Sequence, residues 1–339
     1  MTAGERPIRV LVADDSELFR DLLSGVVSAD PAFEVVATAA DGNAAAALAR
    51  RLKPDVITMD LNMPDADGFS GIARIMAETP TPILVLTANR AEVVGFKALS
   101  LGALDLLEKP ALGADLAEYG AQIRSRLRLL AGVKVIRHLR GLRGQKLGPP
   151  ARSRRAELVV VGASLGGPRA LATLLKGLPA DFPAPLVVVQ HIADGFTEGL
   201  AGWLRQESRL AVREARDGDA LRAGEVLLAP GGSHLVVVEG VARLSDAPAV
   251  DTFKPSVTPL FLSAARAYAG RACGVLLTGM GRDGAEGLLA IKQAGGTTLA
   301  QDEATSAVFG MPKAAIDLGA VDRVLALDDI PRALLEAVR

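Results

Sequence analysis

The 339-residue chain has one cysteine, one tryptophan, two tyrosines and three histidines, and only 4% of its residues are aromatic. A single thiol, Cys273, cannot close an internal disulfide, and in the apolar run "ACGVLLTG" it reads as a small core residue. Charge is nearly balanced, with 38 Lys and Arg against 39 Asp and Glu, so no net field favours nucleic acid or an anionic membrane as the general partner. No apolar run approaches the ~20 residues of a membrane-spanning helix. The start, "MTAGERPIRV", has no apolar signal core, and a cytoplasmic protein is expected. No internal repeat or low-complexity segment stands out.

Half of the residues are apolar, and the length suits about two domains of ~150 residues. From Ile8 to about Leu130, short apolar runs ("IRVLVA", "FEVVATA", "DVITMD", "PILVLTA", "LDLLEK") alternate with stretches of helical spacing such as Leu18, Phe19, Leu22, Leu23, Val26 and Val27. That alternation predicts a parallel sheet covered by helices on both faces. Between Arg124 and Arg155 lie eleven Lys or Arg and no acid, with Gly141, Gly144, Gly148, Pro149 and Pro150 in the middle. This basic stretch reads as a linker; a docking strip for an acidic partner is the sharper alternative. A second α/β pattern follows from Glu157, with strands "ELVVVGA", "PLVVVQH", "EVLLAP", "HLVVVE", "CGVLLTG" and "TTLAQ" and helices over Pro168–Leu175 and Gly284–Gln293. The expected boundaries are 8–130, a linker over 131–156, and 157–339.

In the first domain Asp14 and Asp15 end the first strand, Asp60 the third, Thr87 the fourth and Lys109 the fifth. With strand order 2-1-3-4-5, strands 1 and 3 border the crevice where such sheets bind ligands. Three carboxylates there repel one another unless a hard cation sits among them, which points to Mg²⁺. One carboxylate could then accept a phosphoryl group, with a hydroxyl and an ammonium opposite holding its oxygens. Any one of these acids could instead cap a helix, as Asp15 or Ser16 could. Five such residues at the same strand ends favour the site.

"ADD", "TMDLNMPDADG", "LTA" and "EKP" together resemble a response-regulator receiver domain, and the likeness covers residues 8–130. It implies a five-stranded, doubly wound, flavodoxin-like fold with Asp60 as phosphoacceptor. Asp15 and Asp60 would bind Mg²⁺ with the backbone carbonyl of Asn62, Asp14 would support that metal site, and Thr87 and Lys109 would contact the phosphoryl group. A cis Lys109–Pro110 bond is expected. Leu106 stands where many receivers have Tyr or Phe, three residues before the lysine.

In the second domain, Gly162-Ala-Ser164-Leu-Gly166 fits G-x-S-x-G, a strand-to-helix corner that exposes a serine oxygen. Serine needs a base, and the base an orienting acid. His138 falls in the linker. His234, after "PGGS", reads as a solvated or turn-bonded imidazole. His191 ends a strand beside that of Ser164 and is the candidate base. Asp283, in "LLTGMGRDGAEG", is the candidate acid, with capping of the next helix as the competing reading. A Rossmann-type turn is the rival, but Ser164 takes the place of its second glycine and Gln190 and His191 stand where a ribose-binding acid belongs.

"GASLGG", "QHIADGFTEGLAGWL", "APGGSHL", "KPSVTPLF", "LTGMGRDGAEG" and "FGMPKAA" resemble the catalytic domain of the chemotaxis protein-glutamate methylesterases. The likeness implies a doubly wound α/β domain with a mostly parallel sheet. Ser164 would be nucleophile, His191 general base and acid, Asp283 its orienter, and the backbone N–H of Met280 an oxyanion donor. It further implies hydrolysis of glutamate γ-methyl esters on chemoreceptors, deamidation of receptor glutamines, and no cofactor at the esterase site. The partners implied are methylated chemoreceptors and a chemotaxis histidine kinase, with no nucleic acid and no membrane insertion, for a chain expected to be monomeric. The unphosphorylated receiver would cover the serine and move away once Asp60 is phosphorylated. Leu165 stands where the family commonly has Thr, and "HIADGF" replaces a more usual proline-containing run. A non-catalytic regulator whose second domain only binds a partner is the alternative; an ester-hydrolysis assay separates the two, and an NAD(P)-dependent shift in melting temperature would mark a dinucleotide enzyme.

Overall fold

The computed structural model describes residues 6–63, 68–88, 93–111, 113–133, 155–193 and 195–339. The chain divides into two units, Met1–Arg137 and His138–Arg339. Most of the basic stretch expected as a linker, with His138 in it, lies outside the described residues, as does Asp194 of "HIADGF".

The first unit is a five-stranded parallel sheet: β1 (Ile8–Ala13), β2 (Phe33–Ala39), β3 (Val56–Asp60), β4 (Ile83–Thr87) and β5 (Asp105–Glu108), in the order β2-β1-β3-β4-β5. Every residue of β3 and β4 is buried, because inner strands of a sheet covered on both faces have no solvated side; this is why they read as continuous apolar runs. Helices α1 (Glu17–Ser28), α2 (Gly42–Leu52), α3 (Gly68–Glu78), α4 (Val93–Ser100) and α5 (Leu116–Ala131) connect and follow the strands. Ser16 caps α1, its hydroxyl accepting from Phe19 N–H at 3.3 Å. Asp41 and Asp115 cap α2 and α5 in the same way. With Ser16 in that role, Asp15 is left at the crevice as an exposed carboxylate.

The second unit carries a seven-stranded sheet: β6 (Leu158–Ala163), β7 (Leu186–Gln190), β8 (Ala211–Glu214), β9 (Glu225–Leu228), β12 (Ala272–Leu276), β13 (Thr297–Gln301) and β14 (Arg323–Leu325). Its order is β14-β13-β12-β6-β7-β9-β8, and its pairings are parallel. The expected strand at His234 exists as β10 (His234–Val238) but leaves this sheet to pair antiparallel with β11 (Val241–Ser245). The glycine-containing turn between them is too short for a crossover helix, so the two can pair only as a hairpin. Helices α6 (Gly167–Lys176), α7 (Thr197–Glu207), α8 (Val257–Tyr268), α9 (Ala285–Gln293), α10 (Met311–Asp317) and α11 (Ile330–Ala337) complete the unit. Val160, Val187, Leu276, Leu260, Phe261, Leu288 and Met311 belong to one buried cluster, which packs α8, α9 and α10 against the sheet. Cys273, within β12, is fully buried, and burial pushes its thiol up to about 12.

The peptide bond expected to be cis is a correction. Among the described residues the cis bond is Lys254–Pro255, and Lys109–Pro110 is trans. The trans form suffices, because in it the Lys109 amide donates to Thr87 O at 2.8 Å and the ammonium already reaches the carboxylates of the crevice.

Candidate active site

Two chemically distinct sites lie at strand ends, one in each unit. In the first, β1 and β3 are hydrogen-bonded neighbours, and their carboxyl ends deliver Asp14, Asp15 and Asp60 together. One oxygen from each of the three lies within 4.8 Å of the others. Asp14 and Asp60 are 0% and 3% exposed. Lys109 Nζ stands 2.6 Å from Asp14 Oδ2 and 3.0 Å from Asp60 Oδ2. Burial raises the Asp14 pKa, and the nearby Asp60 charge adds to the rise against the opposing pull of Lys109. Burial also works against the Lys109 ammonium, but its bond to Asp14 and the charge of Asp60 outweigh that, and its pKa is raised. One ammonium therefore serves Asp14 and Asp60 while Asp15 stands beside them, and an all-oxygen set of this kind fits a hard divalent cation. Thr87 is buried at the end of β4, and Asn62 is exposed in the loop just after β3. Leu106 is buried within β5.

In the second unit β6 ends one residue before Ser164, and the corner is fixed from both sides. Ser164 N–H donates to Thr278 O at 3.0 Å, beyond β12, and His191 N–H donates to Ala163 O at 3.0 Å, beyond β7. Gly166 has φ +76°, and a Cβ there would come within 2.5 Å of the Ala307 methyl. Only glycine allows this turn. A Cβ on Gly167 would collide with the Gln190 side chain. That amide is a clamp, donating from Nε2 to Ser164 O at 2.8 Å and to His191 O at 2.7 Å. The serine and the histidine are thus tied together through their backbones.

His191 Nε2 lies 2.8 Å from Asp283 Oδ2, with both side chains almost fully buried. Its other nitrogen, Nδ1, is buried with no hydrogen-bond partner among the described residues, so it makes no hydrogen bond to Ser164. With Nε2–H directed at the carboxylate, the free Nδ1 holds the lone pair that can take a proton.

Asp283 does not cap the helix that follows it: Gly284 occupies the N-cap position of α9 with no side-chain bond. The carboxylate instead serves the start of α8. It accepts from Val257 N–H at 2.7 Å and Thr258 N–H at 3.0 Å, and from the hydroxyls of Ser256 at 2.8 Å and Thr258 at 2.7 Å. A negative charge at a helix N-terminus satisfies free amides and complements the dipole. Burial alone would raise this carboxyl's pKa, but the bonds from His191, Thr258 and Val257 outweigh it and hold it well below the usual carboxylate range.

A pH effect follows from that depression. In the unfolded chain the Asp283 carboxyl takes up its proton near pH 4, but in the folded chain only at lower pH. Its contribution to stability is therefore complete above about pH 4 to 5 and drains away as pH falls through the folded value. The melting-temperature gap between wild type and Asp283→Asn is expected to stay constant from pH 7 to about pH 5 and to narrow only as pH falls below about 4. A gap independent of pH would contradict the assignment of charge.

His234 is buried and bonded in the turn, as read, and not solvated. It is 1% exposed, its Nε2 lies 3.0 Å from Pro248 O, and its Nδ1 accepts from Ser256 N–H at 3.1 Å. Those partners require the neutral Nε2–H tautomer, which holds the loop whose hydroxyl reaches Asp283. On the other side, Gly279 packs against Ser164: a Cβ on this glycine would lie 2.7 Å from Ser164 Cβ. Its N–H donates to Val308 O, and its carbonyl accepts from Gly310 and Met311 N–H. Met280 follows, with an exposed side chain. The Leu165 carbonyl accepts from the Thr278 hydroxyl at 3.0 Å.

This geometry finds close relatives. Residues 159–334 match the family model described as CheB methylesterase, and residues 10–119 match the response regulator receiver domain. The chain is 76% identical over 339 residues, covering 100% of itself and 99% of the relative, to a protein-glutamate methylesterase/protein-glutamine glutaminase of Anaeromyxobacter dehalogenans. The chain belongs to the CheB methylesterase family. A Pseudomonas aeruginosa relative with the same description is 41% identical over 338 residues, with 97% of each chain covered. The CheB methylesterase catalytic domain of Thermotoga maritima is 42% identical, with a TM-score of 0.52 over 54% of this chain and 99% of that one. Membership makes this a two-domain α/β enzyme with a receiver ahead of its esterase domain. No helix among the described residues is long and apolar enough to cross a membrane.

Several side chains of this CheB-family site had no signal of their own in the sequence. Gln190 lies inside an apolar run, and Ser256 and Thr258 look like an ordinary helix start. Phe253, whose ring lies 3.9 Å from that of His191, is one apolar residue in a polar loop. The fragment "KPSVTP" was the available signal, because two hydroxyls flanking a helix start can turn toward a buried acid.

Proposed function

We propose that this protein hydrolyses glutamate γ-methyl esters on the cytoplasmic helices of chemoreceptors, using Ser164, His191 and Asp283, under the control of phosphorylation at Asp60. The observation that carries this reading is the fixed imidazole. His191 Nε2 is held on Asp283, while Nδ1 stays buried and without a hydrogen-bond partner among the described residues, one strand over from Ser164.

Ser164 Oγ attacks the ester carbonyl carbon as its proton passes to His191 Nδ1, and the carbonyl oxygen becomes an oxyanion. Asp283 stabilises the imidazolium without taking its proton. The Met280 N–H, next to the glycine that packs on Ser164, donates to the oxyanion. Collapse breaks the carbon–oxygen bond to the methoxy group, which leaves as methanol with the proton from His191. Water then attacks the acyl-enzyme with His191 again as base, giving glutamate and free serine. A receptor glutamine undergoes the same attack, with ammonia leaving in place of methanol. Neither step calls for a cofactor at this site.

In the receiver, Asp60 takes the phosphoryl group from a chemotaxis histidine kinase, and Thr87 and Lys109 bind its oxygens. Asp14, Asp15 and Asp60 with the Asn62 carbonyl would hold Mg²⁺, which supplies charge neutralisation for the incoming phosphoryl group. Both partners of the chain are proteins of the cytoplasmic side.

Mass spectrometry of a methylated receptor fragment tests the reading: incubation should remove 14 Da per ester. Unchanged mass with wild-type protein and phosphodonor present would overturn it. Regulation has its own test. If most unphosphorylated molecules are closed, apparent activity falls by the open fraction. Residues 156–339 alone are then expected to exceed the unphosphorylated full chain in kcat/KM, each tenfold gain corresponding to about 1.4 kcal/mol of closed-state preference. Phosphorylation can act only by weakening that state selectively. Equal values for a folded truncation would leave the receiver a role in docking alone.

A further inference from the structure

We infer that Phe253 is a positioning residue for His191, presented by a strained turn and acting chiefly on the charged imidazolium. The inference rests on the proposed esterase reading. The Phe253 and His191 rings stack with centroids 3.9 Å apart and planes only 5° from parallel. Parallel rings at this distance can pack offset while both are neutral, and a positive charge on one of them adds a further attraction. A cation over the face of a phenyl ring is attracted by its quadrupole. The arrangement therefore suits imidazolium better than imidazole. An interaction that strengthens as His191 takes the serine proton lowers the barrier and not merely the ground state.

The backbone that carries the ring supports this. Val250 and Phe253 bond each other reciprocally, N–H to carbonyl at 3.1 and 2.8 Å, closing a hairpin with only two residues between them. Both central residues have positive φ, 47° at Asp251 and 73° at Thr252. Turns of this hand belong to Asn-Gly and Asp-Gly pairs. A β-branched threonine in that region is an outlier, and such strain persists where the surroundings over-determine it. The surroundings are close by: two residues further on, Pro255 and then Ser256 are buried, and Ser256 bonds Asp283 and His234. The loop that carries the stacking ring thus also holds the acid on the other edge of the imidazole. His191 is fixed by the carboxylate within its plane and by the phenyl ring against its face.

The test uses full-length protein with phosphodonor and a receptor cytoplasmic fragment carrying γ-methyl glutamate. Phe253→Leu is expected to lower kcat about tenfold with KM within about twofold, because the lost interaction is made in the transition state. Phe253→Tyr keeps the ring and is expected to stay within about threefold of wild type. A ring that merely fills space would instead change the melting temperature and leave kcat per folded molecule alone. The double change Asp251→Asn with Thr252→Gly relaxes the turn without altering its path. It should raise the melting temperature and keep kcat, and it cannot be dismissed as misfolded. The inference is overturned if Phe253→Leu keeps kcat within twofold, if Phe253→Tyr falls as far as Phe253→Leu, or if the relaxed turn loses activity while gaining stability. Ser164→Ala, run alongside, reports on the esterase reading itself: loss there with an unaffected Phe253→Leu sinks only this inference.

Discussion

Ser164→Ala is expected to abolish receptor demethylation, by at least ~10³-fold in kcat, while the protein stays folded. The two halves of that expectation have separate causes. Loss of the hydroxyl removes the proposed nucleophile, and in that reading His191 and Asp283 then have nothing to activate. The fold, by contrast, holds this corner through the backbone. Ser164 N–H reaches Thr278 O, and Ser164 O accepts from Gly167 N–H and from the Gln190 amide. Alanine keeps all three bonds and keeps the Cβ against which Gly279 packs. Melting temperature should therefore move by no more than a few degrees. The decisive readout is methanol release from a methylated receptor fragment, measured beside thermal unfolding of the same sample. A folded alanine variant with a tenth or more of wild-type activity would remove Ser164 from the nucleophile's role.

The parallel sheets were legible because buried parallel strands leave long apolar runs, and their carboxyl ends fall where those runs stop. That placed Asp14, Asp60, Ser164 and His191 without coordinates. Other strands were illegible for physical reasons. β8 (AVRE) and β14 (RVL) are short edge strands with partly solvated residues, so neither produces a run. β10 reads like a sheet strand, but its partner is the next strand in sequence, and apolar pattern alone does not distinguish a hairpin from a crossover. The role of Asp283 was half visible. An acid in a glycine-rich loop suggests capping of its own helix, and only the fold shows it at the start of α8 some 26 residues earlier in sequence. Phe253 was hidden for a stronger reason: its turn uses Asp and Thr in a conformation that announces itself when glycine is present. Where strain replaces the usual residue, the local signal disappears.

Asp60→Asn is expected to eliminate labelling by small phosphodonors such as acetyl phosphate in Mg²⁺, and with it any response of the esterase to them. Asparagine is nearly the shape of aspartate, and its amide oxygen can still accept from Leu61 N–H, a bond of 2.8 Å in the structure. What it lacks is a carboxylate oxygen able to bond phosphorus and form the acyl phosphate. The charge balance of the crevice also changes. Lys109 now divides its attraction between Asp14 and Asp60, at 2.6 and 3.0 Å, and in the variant it keeps only the first. The Asp14 carboxyl, raised chiefly by burial and further by the Asp60 charge, loses a repelling neighbour, so the remaining ion pair is favoured and the domain should not unfold. Labelled wild type and variant are compared after acid and after mild base, since an acyl phosphate and a serine phosphate differ in their lability. Label on the variant equal to wild type would place the acceptor elsewhere. Full activation by acetyl phosphate without label would separate phosphorylation from regulation, and the proposed control of Ser164 by Asp60 would fail.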